Sequence, residues 1–204
     1  MNTGHMGQRS LVLASASPAR LRLLRDAGIE PRVVVSGVDE DAVPTDDPHT
    51  MVLTLAELKA NAVAATLTEP GALVLGADST LVLGATSLGK PGSPQAAFAR
   101  WREMRGRHGT LLTGHCLIDC DSGRAATAVG RTEVFFGSPS DEEIAAYVDS
   151  GEPIEVAGAF TLDGRGAPFV DRIEGDPSNV VGLSLPVVRR LLAELGVGIV
   201  ELWR

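Results

Sequence analysis

The feature that most constrains the fold is a pair of long β-type runs, Thr110–Asp119 and Ala125–Phe136, joined by the turn signal Asp121-Ser122-Gly123. Two such runs separated by a short turn pair as a hairpin. Ahead of them, strand and helix signals alternate. Leu11–Ser15 is an apolar run that reads as a buried strand. Ser17-Pro18 then supplies an N-cap and a first-turn proline for a helix whose face is Leu21, Leu24 and Ala27, stopped by Gly28. Arg32–Val35 reads as a second strand, and Pro48 to about Leu67 as a helix rich in Ala, Leu, Glu and Lys. Leu73–Ala77 and Thr80–Leu83 read as strands flanking a loop at Asp78. Ser93-Pro94 opens a helix over Gln95–Arg105, and the capping box Ser140-Asp141-Glu142-Glu143 opens another. Gly151 to Gly182 reads as Gly-rich and irregular, and Pro186–Leu195 as a last helix. Alternation followed by a hairpin implies an α/β fold with a mixed sheet.

The 204 residues suit one domain with a sizeable core, or two small lobes sharing a sheet. No repeat or long polar linker divides them, so residues 10–204 read as a single domain. Residues 1–9, with Gly4-His5-Met6 resembling a cloning scar, read as a leader. The formal charge of −8 argues against a nucleic-acid polymer as partner, because neutralising a phosphate backbone needs cationic surface. A single polyphosphate stays open, since a few placed cations suffice for it. No apolar run of about 18 residues is present, so no membrane partner is expected. Cys116 and Cys120 lie in one strand, roughly 13 Å apart and too far for a disulfide, which suits a reducing cytoplasm.

Several segments carry candidate chemistry. Ser15-Ala16-Ser17-Pro18-Ala19-Arg20 joins a strand to a helix start, where backbone N–H groups and hydroxyls attract anions. Arg20 stands in the first turn, where the helix dipole disfavours a cation; it is a surface arginine or it shares an anion with the helix start. Asp39, Glu40 and Asp41 alternate across an extended chain and read as a solvated acidic loop or as a source of oxygen ligands for Mg²⁺. Lys59 is the one charge on the stripe Val52, Leu55, Lys59, Val63, so it snorkels or points its ammonium into a pocket. Asp78 follows an apolar run ending in Gly76-Ala77, where α/β sheets commonly bind ligands, and is otherwise a turn aspartate. Lys90 sits in Gly89-Lys90-Pro91. The basic run Trp101–His108 reads as a stabilised helix end, and His115 as structural. P-loop, dinucleotide, zinc and nucleophile-elbow motifs are absent from the sequence.

In order, these segments resemble the Maf family of nucleotide pyrophosphatases, also called septum-formation inhibitors. The resemblance runs from Leu11 to Leu195. Ser15–Arg20 is similar to the family's Ser-x-Ser-Pro-Arg-Arg, and it is followed by Val38-Asp39-Glu40, Leu55-Ala56-Glu57-Leu58-Lys59-Ala60, Gly76-Ala77-Asp78 and Gly89-Lys90-Pro91. Ser150-Gly151-Glu152-Pro153, Ala157-Gly158-Ala159-Phe160 and Gly175–Leu183 complete it. The resemblance implies an elongated mixed sheet with flanking helices and two lobes around a central cleft, as in inosine-triphosphate pyrophosphatases, and a homodimer. It implies hydrolysis of a nucleoside triphosphate substrate to the monophosphate and pyrophosphate, assisted by a divalent metal cation (Mg²⁺ or Mn²⁺). Asp78 then accepts the proton of the attacking water, and Glu40 is a metal ligand. Ser15, Arg20, Lys59 and Lys90 contact phosphate.

Three positions depart from the family pattern. Ala19 replaces the first arginine of the pair, and Ser79 replaces a threonine or glutamine. Asp163 stands where many members carry glutamine and others glutamate; as a pure acceptor it suits a base edge rich in N–H donors, such as guanine. A rival reading is a non-catalytic nucleotide-binding regulator of cell division, which the joint presence of Glu40, Asp78 and Lys90 disfavours. A phosphohydrolase cleaving a terminal phosphate is a third.

Overall fold

The structure, a computed structural model, describes residues 9–40, 43 and 47–204. Asp41 and residues 1–8 of the expected leader lie outside the described residues. Arg9, the last residue of that segment, pairs its guanidinium with Asp119 at 3.1 Å and Asp121 at 3.2 Å.

The strands are β1 (Ser10–Leu13), β2 (Arg32–Val33), β3 (Ala72–Leu83), β4 (Thr86–Leu88), β5 (His108–Asp119), β6 (Ala125–Phe136) and β7 (Val170–Glu174). The helices are α1 (Pro18–Asp26), α2 (Pro48–Ala64), α3 (Pro94–Met104), α4 (Asp141–Asp149), α5 (Pro177–Val181) and α6 (Leu185–Glu194). One seven-stranded sheet runs β2-β1-β3-β5-β6-β7, with β4 paired to β3. It is mixed, as expected: β1 is parallel to β2 and β3, whereas β4 is antiparallel to β3 and β7 to β6. None of the described helices is long and apolar enough to cross a membrane.

Two compact units emerge, one from residues up to Asp78 with 114–129 and 185–204, the other from 79–113 and 130–184. In the first, Val12, Val74 and Ile118 pack with Ala56, Ala60 and Val63. Two glycines let α2 press onto the strands. A Cβ at Gly76 would stand 2.2 Å from the Ala56 carbonyl oxygen, and one at Gly114 would stand 2.1 Å from that of Val52. In the second unit the fully buried Trp101 meets Phe136, Tyr147 and Phe169 edge-to-face at 5.7, 5.7 and 5.6 Å. Its indole N–H donates to the Ala159 carbonyl at 2.7 Å.

The Ser17, Ser93 and Ser140 caps form as read, each accepting a backbone N–H of the first turn. Five readings need correction. Asp78 is not in a loop: β3 runs unbroken through it, because apolar and β-branched residues resume at Thr80 and pairing continues onto β4. β1 and β2 stop at Leu13 and Val33, each two residues early. α2 ends at Ala64, beyond which Thr66 and Leu67 form only turn-type hydrogen bonds. The stretch after Gly151 is not irregular throughout. Val170–Glu174 adds to the sheet edge, and Asp176 caps α5 by accepting from the Ser178 N–H at 2.9 Å. Pairing with β6 and a local cap impose order that glycine content concealed.

Candidate active site

Five of the sequence-predicted residues lie in the first unit and join one polar cluster. Where β1 gives way to α1, Ser15 Oγ accepts from the Ser17 N–H at 3.2 Å and from Arg20 Nη1 at 3.0 Å. Arg20 is 8% exposed, and its Nη1 also donates to the Ala77 carbonyl at 2.9 Å. The arginine therefore ties the loop to the β3 backbone one residue before Asp78. Burial pulls its guanidinium below the usual value, and the carboxylates of Asp78 and Glu40 oppose that pull.

Lys59 is buried on the α2 stripe, as are Val52, Leu55 and Val63. It does not snorkel to water. Its Nζ lies 2.7 Å from Asp78 Oδ1 and 2.7 Å from Glu40 Oε1, with the lysine side chain 7% exposed, Asp78 11% and Glu40 51%. The geometry follows from Gly76, which lets α2 approach β3. Asp78, two residues on, presents its side chain on the same face. Burial pushes the Asp78 carboxyl above its ordinary value, against the opposing pull of the Lys59 ammonium and the Arg20 guanidinium; the Glu40 carboxylate adds to the rise. A buried carboxylate whose proton affinity is raised, held beside two cations, is equipped to take a proton from a bound nucleophile.

No cluster of three or more His, Cys, Asp or Glu able to hold a metal ion occurs among the described residues. Glu40 and Asp78 nevertheless converge on one cation position, which the Lys59 ammonium fills. Two hard carboxylates are the donor set that Mg²⁺ uses when substrate phosphates and water complete its shell.

Lys90 and Asp163 belong to the second unit. Lys90 is exposed in a loop whose preceding residue is anchored: the Gly89 carbonyl accepts from Arg100 Nη1 at 2.5 Å and from the Gly158 N–H at 3.1 Å. Asp163 is exposed in a loop closed at its neck by Glu152. Glu152 Oε1 accepts from Thr161 Oγ1 at 2.5 Å and from the Gly166 N–H at 3.3 Å. Gly164 lies over that carboxylate, where a Cβ would stand 2.6 Å from Oε1. The role of Glu152 was not read from the sequence, although it sits within the quoted segment Ser150–Pro153. The joint pairing of Lys59 with Glu40 and Asp78 was also missed. One signal was available, since a lysine on a buried stripe needs a carboxylate partner.

Comparison with known proteins places this architecture first in a class and then in a family. The Ham1 protein of Staphylococcus aureus shares the fold with a TM-score of 0.51 at 12% identity, covering 92% of this chain and 100% of that one. Residues 10–195 match the model of the Maf-like protein family, and the chain belongs to it. A Streptomyces coelicolor relative is 62% identical over 196 residues, covering 96% of this chain and 95% of its own length. A Salinispora tropica relative is 56% identical over 196 residues, covering 95% and 87%. One from Thermosynechococcus vestitus is 54% identical over 185 residues, covering 91% and 93%. All three relatives are named nucleoside triphosphate pyrophosphatase.

Proposed function

We propose that this chain is a nucleoside triphosphate pyrophosphatase that hydrolyses the α–β phosphoanhydride, releasing nucleoside monophosphate and pyrophosphate. The observation that carries the reading is the buried Asp78 carboxylate flanked by Lys59 and Arg20 in a Maf-family chain. A water oxygen bonds to the α-phosphorus, the bond to the bridging oxygen breaks, and pyrophosphate leaves with the bridging electron pair. Asp78 orients the water and accepts its proton. Lys59, Arg20 and Lys90 offset the charge that grows on the phosphates as the bond breaks. Ser15, whose Oγ already accepts from Arg20, orients that guanidinium and offers its own O–H to a phosphate oxygen.

The site residues fit a divalent cation, Mg²⁺ or Mn²⁺. Glu40 and Asp78 would hold it with phosphate oxygens, and when bound it supplies charge neutralisation at the leaving group. Asp163 is assigned to the base, as an acceptor for the N–H donors of guanine. The protein is taken to act as a homodimer in the cytoplasm. Both cysteines are free, which suits a reducing compartment.

A product-resolved panel of normal and modified nucleoside triphosphates, titrated with Mg²⁺ and Mn²⁺, tests the reading. Pyrophosphate and monophosphate are the expected products. Orthophosphate release would instead mean cleavage of the terminal phosphate, and binding without turnover would mean a nucleotide sensor. Light scattering on the purified protein tests the dimer.

A further inference from the structure

The Lys59 ammonium occupies the point on which the two acidic side chains of the site converge, at 2.7 Å from each. An ammonium and a divalent metal compete for the same thing there, the facing lone pairs of two carboxylates. Without any cation, Glu40 and Asp78 would repel each other across that point. With both cations present, a singly and a doubly charged ion would be crowded against the same oxygens. Of the two buried basic residues, Arg20 is committed to structure through the Ser15 hydroxyl and the Ala77 carbonyl. Lys59 carries its compact charge on a flexible four-carbon stem, and its two oxygen partners are both side chains. It can leave them without opening the β1–α1 loop or the sheet. Glu40, half exposed at 51%, gives the pair its open side.

We propose that Lys59 is the resident counter-cation of the Glu40–Asp78 pair, displaced when a divalent cation binds and thereby released to the triphosphate. The proposal rests on the metal and phosphate roles given above. It makes Lys59 a positioning residue in the metal-free protein, holding both carboxylates ready. Once the metal is in place it becomes a phosphate contact. Metal entry and capture of the triphosphate become one coupled event.

The sequence permits a direct test, because Lys59 and Lys90 are its only lysines. Protein carrying ¹⁵N- and ¹³C-labelled lysine gives two lysine side-chain signals, assigned with Lys90→Arg. Mg²⁺ alone is titrated in, and occupancy is counted separately by the paramagnetic signal of free Mn²⁺. The Lys59 ammonium, shielded and hydrogen-bonded, should show a sharp signal without metal and lose it in step with metal occupancy, while Lys90 does not move. Lys59→Met should bind Mn²⁺ about tenfold more tightly than the unaltered chain when no nucleotide is present. A Lys59 signal that persists in metal-saturated protein overturns the displacement, because the metal then uses other oxygens beside a stationary ammonium. Equal or weaker Mn²⁺ binding by Lys59→Met overturns it too. If no metal binds without nucleotide, the displacement of Lys59 ahead of the triphosphate is overturned, whereas metal assistance of turnover stands or falls separately on the metal-titrated product panel.

Discussion

The two compact units keep different things out of water. The first buries charge: Arg20, Lys59 and Asp78 are each 8% exposed or less, and they are held by one another and by Ser15. The second buries rings, with Trp101 at the centre of an edge-to-face cluster and a neutral hydrogen bond for its indole. Apolar burial is non-directional and stabilises in proportion to area, whereas buried ions barely offset their own desolvation. Charge withdrawn from water at such a cost is what the catalytic role proposed for Asp78 requires. The ring cluster marks the place where stability is stored.

Substitutions can break this division. Asp78→Asn should lower pyrophosphate release by about 10²–10⁴-fold, the contribution of a positioned general base, while the far-UV spectrum is unchanged because Lys59 keeps Glu40. Undiminished turnover would remove Asp78 from its role. Trp101→Ala should do the converse. It should cost about 3–5 kcal/mol in a denaturant titration, leaving turnover under native conditions near normal. Gly76→Ala touches both properties. Its Cβ would collide with the α2 backbone, so it should cost about 1–3 kcal/mol and also weaken turnover by moving Lys59 off Asp78. An activity loss without a stability loss would show that the glycine serves something other than helix approach.

Smaller effects sharpen the contrast. Asp163→Gln should shift the ratio of guanine to uracil substrate kcat/KM by about tenfold toward uracil, with little change in stability. An unaltered ranking would show that Asp163 does not read the base. In the metal-free protein, the ¹³C-detected titration of the Asp78 carboxyl should fall above the ordinary aspartate value of about 4. Lys59→Met should move it further up, since the ammonium is the largest influence opposing burial. The sign for stability follows. A carboxyl raised in the folded state favours folding below its unfolded value, and that contribution is lost as pH rises through the folded value. A downward move in Lys59→Met would mean that the pair is not formed.

Much of the site was legible one residue at a time. Lys59 stood out as a charge on an apolar stripe, Arg20 as a cation where a helix dipole resists one, and Asp78 as a carboxylate after a buried run. Their order with Glu40 and Lys90 pointed to the family. Pairings across long separations were not legible. Gly76 and Gly114 gave no local hint that α2 lies on them, because a glycine in a strand has several uses. The loop around Asp163 hid its dependence on Glu152, and the strand through Asp78 was read as broken because its local polarity resembles a turn.

The sequence by itself determined the longer helices and the long strand runs, the three serine caps, the mixed sheet and the inventory of charged residues available to a polyphosphate. Each follows from period, capping chemistry or composition, which act over a few residues. Tertiary structure decided which charges meet. It set Lys59 against both Glu40 and Asp78, and it turned Arg20 inward to Ser15 and the Ala77 carbonyl. The reason is physical: a buried ion takes whatever partner the backbone brings within hydrogen-bonding distance, and that distance is set by helix-on-sheet packing rather than by neighbours in the chain.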